Sequence, residues 1–213
     1  MRIPIAKEGY IFIGPLGVFS IFCWGLGWIV AGFFITGLFV FVIYFFRDPE
    51  RKTPNISNVI ISPADGKVVE IVTETDPFLN HPYRRVSIFL NIFNVHINRA
   101  PLAGRVGKIR YNRGKFLAAF NHKASLDNEQ TAVLFQNGKD KVLVKQIAGL
   151  IARRIICRAH EGDQFKLGQR FGLIRFGSRV DIFLPLNAKL NVSNGDNVTA
   201  GISVIGFLKG SVE

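Results

Sequence analysis

Gly162-Asp163-Gln164-Phe165-Lys166-Leu167-Gly168 and Gly195-Asp196-Asn197-Val198-Thr199-Ala200-Gly201 repeat one pattern: glycine, aspartate, any residue, an apolar residue, two more residues, glycine. The aspartate carboxylate accepts hydrogen bonds from nearby backbone N–H groups. Glycine takes the left-handed conformations that a sharp reversal needs. Each copy therefore reads as a tight hairpin, with Phe165 or Val198 pinning the loop to a core.

Outward from the repeat, short runs rich in valine, isoleucine and phenylalanine alternate with glycine, asparagine, aspartate and proline. Val59–Ile61, Lys67–Val72, Val86–Phe93, Val106–Tyr111, Ala132–Phe135, Val142–Ala148, Ile155–Arg158, Phe171–Phe176, Val180–Leu184 and Leu190–Ser193 read as strands. One helical stretch is expected at Lys115–Lys123. The fold class is α+β, predominantly β. The double hairpin resembles barrel-sandwich hybrid folds such as the biotinyl and lipoyl carrier domains, an architecture that says little about activity.

The N-terminal part differs. Tyr10 to Phe46 contains no charged residue. One helix of that length would run about 55 Å, against a hydrocarbon core of about 30 Å. Gly25-Leu26-Gly27 lies at its midpoint and supplies a break. Arg2 and Lys7 precede the stretch, and Arg47, Arg51 and Lys52 follow it. Positive flanks at both ends place both on the cytoplasmic side. The reading is a membrane-anchoring helical hairpin with its linker over residues 1–53, spanning or dipping into the bilayer, and a catalytic β domain over 54–213. The apolar region is too long for a cleaved signal peptide and no small-residue cleavage site closes it.

The formal net charge of +12 and pI near 10.1 favour an anionic partner. The basic residues are scattered, and neither a nucleic-acid module nor a zinc-ligand spacing is present. No metal and no nucleic acid are expected; an anionic lipid or membrane surface fits the charge. Of the two cysteines, Cys23 falls in the apolar stretch, so a disulfide to Cys157 is not expected.

Three stretches carry candidate chemistry. Arg175-Phe176-Gly177-Ser178-Arg179-Val180-Asp181 sets a Gly-Ser pair between two apolar runs. It is either a plain turn or a self-processing junction. In the second case the Ser178 hydroxyl attacks the unshielded Gly177 carbonyl, and the ester eliminates to leave a keto group at a new N-terminus. Ser62-Pro63-Ala64-Asp65-Gly66-Lys67 is a strong turn signal carrying an acid. Asn94-Val95-His96-Ile97-Asn98-Arg99-Ala100-Pro101 puts a histidine between an apolar strand and a proline-closed turn. His81, His122 and His160 have weaker surroundings, although His122 lies in the polar Asn121–Ser125 cluster.

Taken in order, Ser62-Pro63-Ala64-Asp65-Gly66, His96-Ile97-Asn98-Arg99-Ala100-Pro101 and Phe176-Gly177-Ser178 resemble the signature regions of the phosphatidylserine decarboxylases, short bacterial branch. Phe46-Arg47-Asp48-Pro49 and Gly162-Asp163 extend the resemblance. It implies a proenzyme that cuts itself between Gly177 and Ser178, giving a large β chain, 1–177, and a small α chain, 178–213, that stay together as a heterodimer. Ser178 becomes a covalent pyruvoyl group, the only cofactor. Its ketone condenses with the amine of phosphatidylserine as a Schiff base and draws off electrons as carbon dioxide leaves, giving phosphatidylethanolamine. Asp65 is then expected to orient and polarise a catalytic histidine, and His96 to transfer the proton. The enzyme acts on an anionic phospholipid at the cytoplasmic face of the cell membrane.

The chain departs from the longer members of that family. They carry His-x-x-His in the second region, where this chain has Arg99. Arginine is no base near neutrality, but it can hold a phosphate or carboxylate bidentately. The junction also continues with Arg179, where long members have threonine. Two rivals compete with the decarboxylase: a membrane-tethered carrier of the biotinyl or lipoyl type, modified at Lys67, and a membrane-tethered module that binds anionic lipid or nucleic acid.

Overall fold

A computed structural model describes residues 4–114, 128–149, 154–175 and 178–209. The helical stretch expected at Lys115–Lys123, His122 and the residue pair Phe176-Gly177 lie outside the described residues. The chain forms two compact units, Met1–Glu50 and Arg51–Glu213.

The first unit is a pair of apolar helices. A 3-10 turn, Lys7–Gly9, leads into α1, Tyr10–Gly25, and α2 is Ile29–Phe45. The reversal falls at the expected glycines, where Gly27 adopts φ 69°. Ser20 Oγ lies 2.7 Å from Thr36 Oγ1 across the pair. Ala6 N–H donates to Phe46 O at 2.8 Å and Asp48 N–H to Pro4 O at 2.7 Å, so the chain enters and leaves the helix pair at one end. Lys7–Gly25 is long and apolar enough to cross a membrane by length and composition, whereas α2 is a shorter apolar helix. Large apolar side chains such as Ile11, Ile21, Val30 and Phe34 point outward from both helices.

Among the described residues, the regular structure of the second unit is all strand. In chain order the strands are β1 Val59–Ile61, β2 Gly66–Thr75, β3 Pro82–Leu90, β4 Ile97–Arg99, β5 Gly104–Asn112, β6 Gln130–Asn137 and β7 Asp140–Ala148. They continue as β8 Ile155–Cys157, β9 Gln164–Phe165, β10 Arg170–Ile174, β11 Ser178–Leu184, β12 Lys189–Leu190, β13 Asn197–Val198 and β14 Val204–Phe207. An eight-stranded sheet runs β13-β2-β3-β11-β7-β6-β5-β9, and two three-stranded sheets run β1-β14-β12 and β4-β10-β8.

That strand order is a palindrome about β11 and β7. Lys67 pairs with Phe89 in the β2–β3 hairpin, and Arg105 pairs with Gln136 in β5–β6. Both hairpins shift register at the same place, between Val68 and Glu70 and between Val106 and Ile109. Ile61 N–H donates to Pro101 O at 3.0 Å, and its counterpart Arg99 N–H donates to Pro63 O at 2.9 Å. The central glycines obey the same relation. A Cβ on Gly66 (φ 156°) would sit 2.2 Å from Phe89 O, and one on Gly104 (φ 151°) 2.1 Å from Gln136 O. Only glycine permits that approach and that backbone angle.

The two Gly-Asp motifs, residues 162–168 and 195–201, supply both sheet edges. Asp163 Oδ2 accepts from His160 N–H and Asp196 Oδ2 from Ser193 N–H, each at 2.8 Å. The short strands that follow, β9 and β13, pair with β5 and β2 rather than with their own neighbours in sequence. The local turn was therefore legible, but the partner of each strand was not. Phe165 and Val198 enter the main core as expected.

Other differences have local causes. The strand expected at Val86–Phe93 ends at Leu90, because Asn91 and Asn94 side chains accept from Phe93 and Asn91 N–H groups, each at 2.9 Å, and form a turn instead. β4 and β14 had no sequence signal, being short runs paired only with distant strands. Both cysteines are free. Burial raises the Cys157 thiol pKa above its usual value, which makes it a poor nucleophile.

Candidate functional site

β11 opens with Ser178 and lies between β3 and β7 at the middle of the large sheet. Ser178 stands opposite Leu90 on one side and Ala148 on the other. Alternation puts Ser178, Val180, Ile182 and Leu184 on the core face with Ala148, Val144 and Val142. The Ser178 hydroxyl is fully buried among apolar side chains and has no hydrogen-bond partner. A buried, unpartnered hydroxyl costs about 1–3 kcal/mol. It is a group kept for something other than stability.

Arg179 and Asp181 take the opposite face. Arg179 Nε lies 2.9 Å from Asp181 Oδ1, and its Nη2 donates to Oδ2 at 3.0 Å. Asp181 also faces Arg85, whose Nη1 lies 2.8 Å from Glu70 Oε2 and whose Nε lies 2.9 Å from Glu74 Oε1. Burial works against the Arg85 charge, yet Asp181, Glu74 and Glu70 outweigh it and its pKa lies above the usual value. Arg179 thus anchors the strand from behind and takes no place beside Ser178.

His96 is tied to the strand that leads into the junction. Its carbonyl accepts from Ile174 N–H at 3.3 Å, continuing the β4–β10 ladder in which Asn98 pairs with Gly172 and Ile97 with Leu173. The imidazole is fully buried, and Nδ1 lies 2.9 Å from Asn94 O. A carbonyl oxygen only accepts, so Nδ1 carries the proton and Nε2 is the basic nitrogen.

Two further buried polar residues face the same core, and sequence reasoning had not singled them out. Gln146 on β7 stands opposite Val180, one step along from the Ser178–Ala148 pair. It is therefore the diagonal neighbour of Ser178 on the core face, at the reach of a long side chain. Its Nε2 donates to Asn98 Oδ1 at 2.8 Å, and both residues are fully buried. Gly172 makes room for this pair: a Cβ there would meet Gln146 Nε2 at 2.7 Å and Ile156 O at 2.5 Å. The one available signal was phase, since Gln146 falls in step with Val142, Val144 and Ala148 on the inward side of β7.

Asp65 and Arg99 form a second cluster. Asp65 Oδ1 accepts from Ala200 N–H at 2.8 Å and Oδ2 from Arg51 Nη2 at 3.0 Å. Arg51, one of the positive flanks of the apolar stretch, pairs with this acid. Arg99 Nη1 donates to Gly168 O at 3.1 Å, and a Cβ on Gly201 would sit 2.9 Å from Arg99 Cδ. Both repeat motifs thus end against Arg99. Alternation along β4 points Arg99 away from the face that His96 and Asn98 share. Ser178 and His96 are brought to one core, whereas Asp65 and Arg99 share the other side of β4 with Arg51. Gly177 lies outside the described residues.

The sequence has relatives among known proteins. The profile of the family described as phosphatidylserine decarboxylase matches residues 38–206. A protein named phosphatidylserine decarboxylase proenzyme from Magnetococcus marinus is 47% identical, over 97% of this chain and 96% of its own length. Proteins of the same name from Geotalea uraniireducens and Citrifermentans bemidjiense are 44% and 42% identical, each over 96% of this chain and 97% of its own length. With its profile match, its near full-length relatives and a buried serine at the head of a central strand, the chain belongs to the phosphatidylserine decarboxylase family.

Proposed function

We propose that the chain converts phosphatidylserine to phosphatidylethanolamine and carbon dioxide, using a pyruvoyl group made from Ser178 by self-cleavage after Gly177. The observation that carries the reading is the Ser178 hydroxyl: buried, unpartnered, and at the first residue of β11. Such a hydroxyl has nothing to do in a plain turn, and it has the chemistry of an internal nucleophile. Oγ loses its proton and attacks the Gly177 carbonyl carbon; the Gly177–Ser178 C–N bond breaks as the ester forms. Elimination releases the Gly177 carboxylate, and hydrolysis with loss of ammonia leaves a ketone on the residue that was Ser178.

The fold suits a cut at this point. Residues 178–207 are tied in by the β3–β11–β7 ladders and by β13 and β14. The two pieces would stay one body, a heterodimer of 1–177 and 178–213. The pyruvoyl ketone supplies a site for the substrate amine and a sink for electrons as carbon dioxide departs. His96, with Nε2 basic, moves the proton. Asp65, across β4 from His96, supports the site by holding the cationic Arg51 and the Ala200 N–H. Arg99 meets an anionic group of the lipid. The apolar helix pair holds the enzyme at the cytoplasmic face of the membrane, where its substrate lies.

Purified protein should arrive as two chains by intact mass, the smaller beginning with a pyruvoyl residue, and should release carbon dioxide from phosphatidylserine vesicles. A single uncut chain with no release would overturn the reading.

A further inference from the structure

The buried amide pair Asn98–Gln146 has a use beyond packing. One hydrogen bond joins the two side chains, and it leaves Asn98 Nδ2 and Gln146 Oε1 buried with no partner. Whichever way round the two amides are set, a single amide–amide bond leaves one NH2 group and one carbonyl oxygen over. Two unsatisfied polar groups in an apolar core are costly, and apolar residues at both positions together would remove the cost. The pair also needs Gly172, because any Cβ there would collide with Gln146 Nε2 at 2.7 Å. The surroundings are shaped to keep these amides where they are.

They also stand at the reacting serine. Gln146 is the diagonal neighbour of Ser178, and Asn98 lies two residues from His96 on the same face of β4. The unused atoms are one donor and one acceptor, on two side chains that touch. An α-amino acid headgroup offers the complement: a carboxylate to accept and an ammonium to donate, on one carbon.

We propose that Asn98 and Gln146 read the serine end of the substrate, Asn98 Nδ2 donating to the carboxylate and Gln146 Oε1 accepting from the amine. This rests on the decarboxylase reading above and names how that same site selects its substrate. In the uncut chain the pair is buried in the core beside Ser178. The two residues select the headgroup and fix the orientation of its α-carbon.

The test compares wild type with Asn98→Ala and Gln146→Leu, all as the full chain in detergent micelles. Self-cleavage is followed by mass, kcat and KM by released carbon dioxide, and competitive inhibition with glycerophosphoserine and glycerophosphoethanolamine. Loss of one such contact should raise KM roughly tenfold to a hundredfold, with kcat changed less than about threefold. Wild type should favour glycerophosphoserine. Asn98→Ala should lose that preference, because its contact is to the carboxylate. Gln146→Leu should weaken both inhibitors alike, because both carry the amine. A merely structural role would lower thermal stability without moving the preference. Should Asn98→Ala fail to fold, Asn98→Ser, which cannot reach as far, is read in the same way. If both variants turn over with wild-type KM and preference, the inference fails while the decarboxylase reading stands. If wild type itself releases no carbon dioxide, the decarboxylase reading fails first.

Discussion

Ile174 donates its backbone N–H to the carbonyl of His96 at 3.3 Å, which fixes the histidine to the strand that runs into Ser178. The two residues lie far apart in sequence, and the β4–β10 ladder joins them. The same ladder carries Asn98 against Gly172. Movement of the junction strand is thereby coupled to the histidine.

Replacing Ser178 with alanine removes the hydroxyl proposed to attack the preceding carbonyl. The variant should remain one chain of 23.8 kDa and release no carbon dioxide. It should be more stable than wild type, by up to about 1–3 kcal/mol, since the lost hydroxyl is buried with no partner. Two fragments on a denaturing gel would mean that another agent makes the cut.

His96→Ala should slow both self-cleavage and decarboxylation, each by roughly 100- to 10,000-fold, the range for general acid–base help. Cleavage is read by mass and turnover by carbon dioxide release. If the variant matures at the normal rate yet does not turn over, the dual role is wrong, and His122 becomes the candidate for cleavage.

Arg99→Ala should mature normally and bind substrate more weakly, by about 1.5–3 kcal/mol for a lost charged hydrogen bond. Both repeat motifs close against this side chain, so thermal unfolding must be followed alongside KM. A folded variant that does not mature would move Arg99 into the cleavage machinery, as a stabiliser of the oxyanion.

The pseudo-symmetric glycines should behave as a pair. Gly66→Ala and Gly104→Ala each drive a Cβ to within 2.2 Å and 2.1 Å of a backbone carbonyl oxygen. Each should cost about 1–3 kcal/mol or more, several degrees in Tm. Gly138→Ala, with φ 57° and nothing within 4 Å, should cost only about 1–2 kcal/mol from its left-handed backbone. Equal Tm values for all three by calorimetry would refute the packing argument.

Deleting residues 1–46 should leave a folded, processed β unit that sediments less with membranes. The remaining association should fall with added salt, because it rests on scattered basic residues. Sedimentation of the truncated protein that is unchanged in high salt would show that the anchor lies elsewhere.

Local chemistry was readable from the chain alone. Gly25-Leu26-Gly27 broke the apolar stretch because glycine ends helices. The two Gly-Asp motifs made turns because aspartate caps its own backbone. Valine- and isoleucine-rich runs became strands, and three short motifs carried the family resemblance. What no local rule could supply was pairing between distant strands. β9 and β13 found partners far away in β5 and β2, and β4 became a strand only through β10. Gln146 read as one polar residue among several until register set it diagonal to Ser178 and against Asn98. Arg51 read as a positive flank of the apolar stretch until the fold brought it to Asp65. Turns and helix ends are decided by a few adjacent dihedrals and side chains. Register and burial are decided by which strands meet, a choice made by the whole core at once, and the Ser178 site lies where those choices converge.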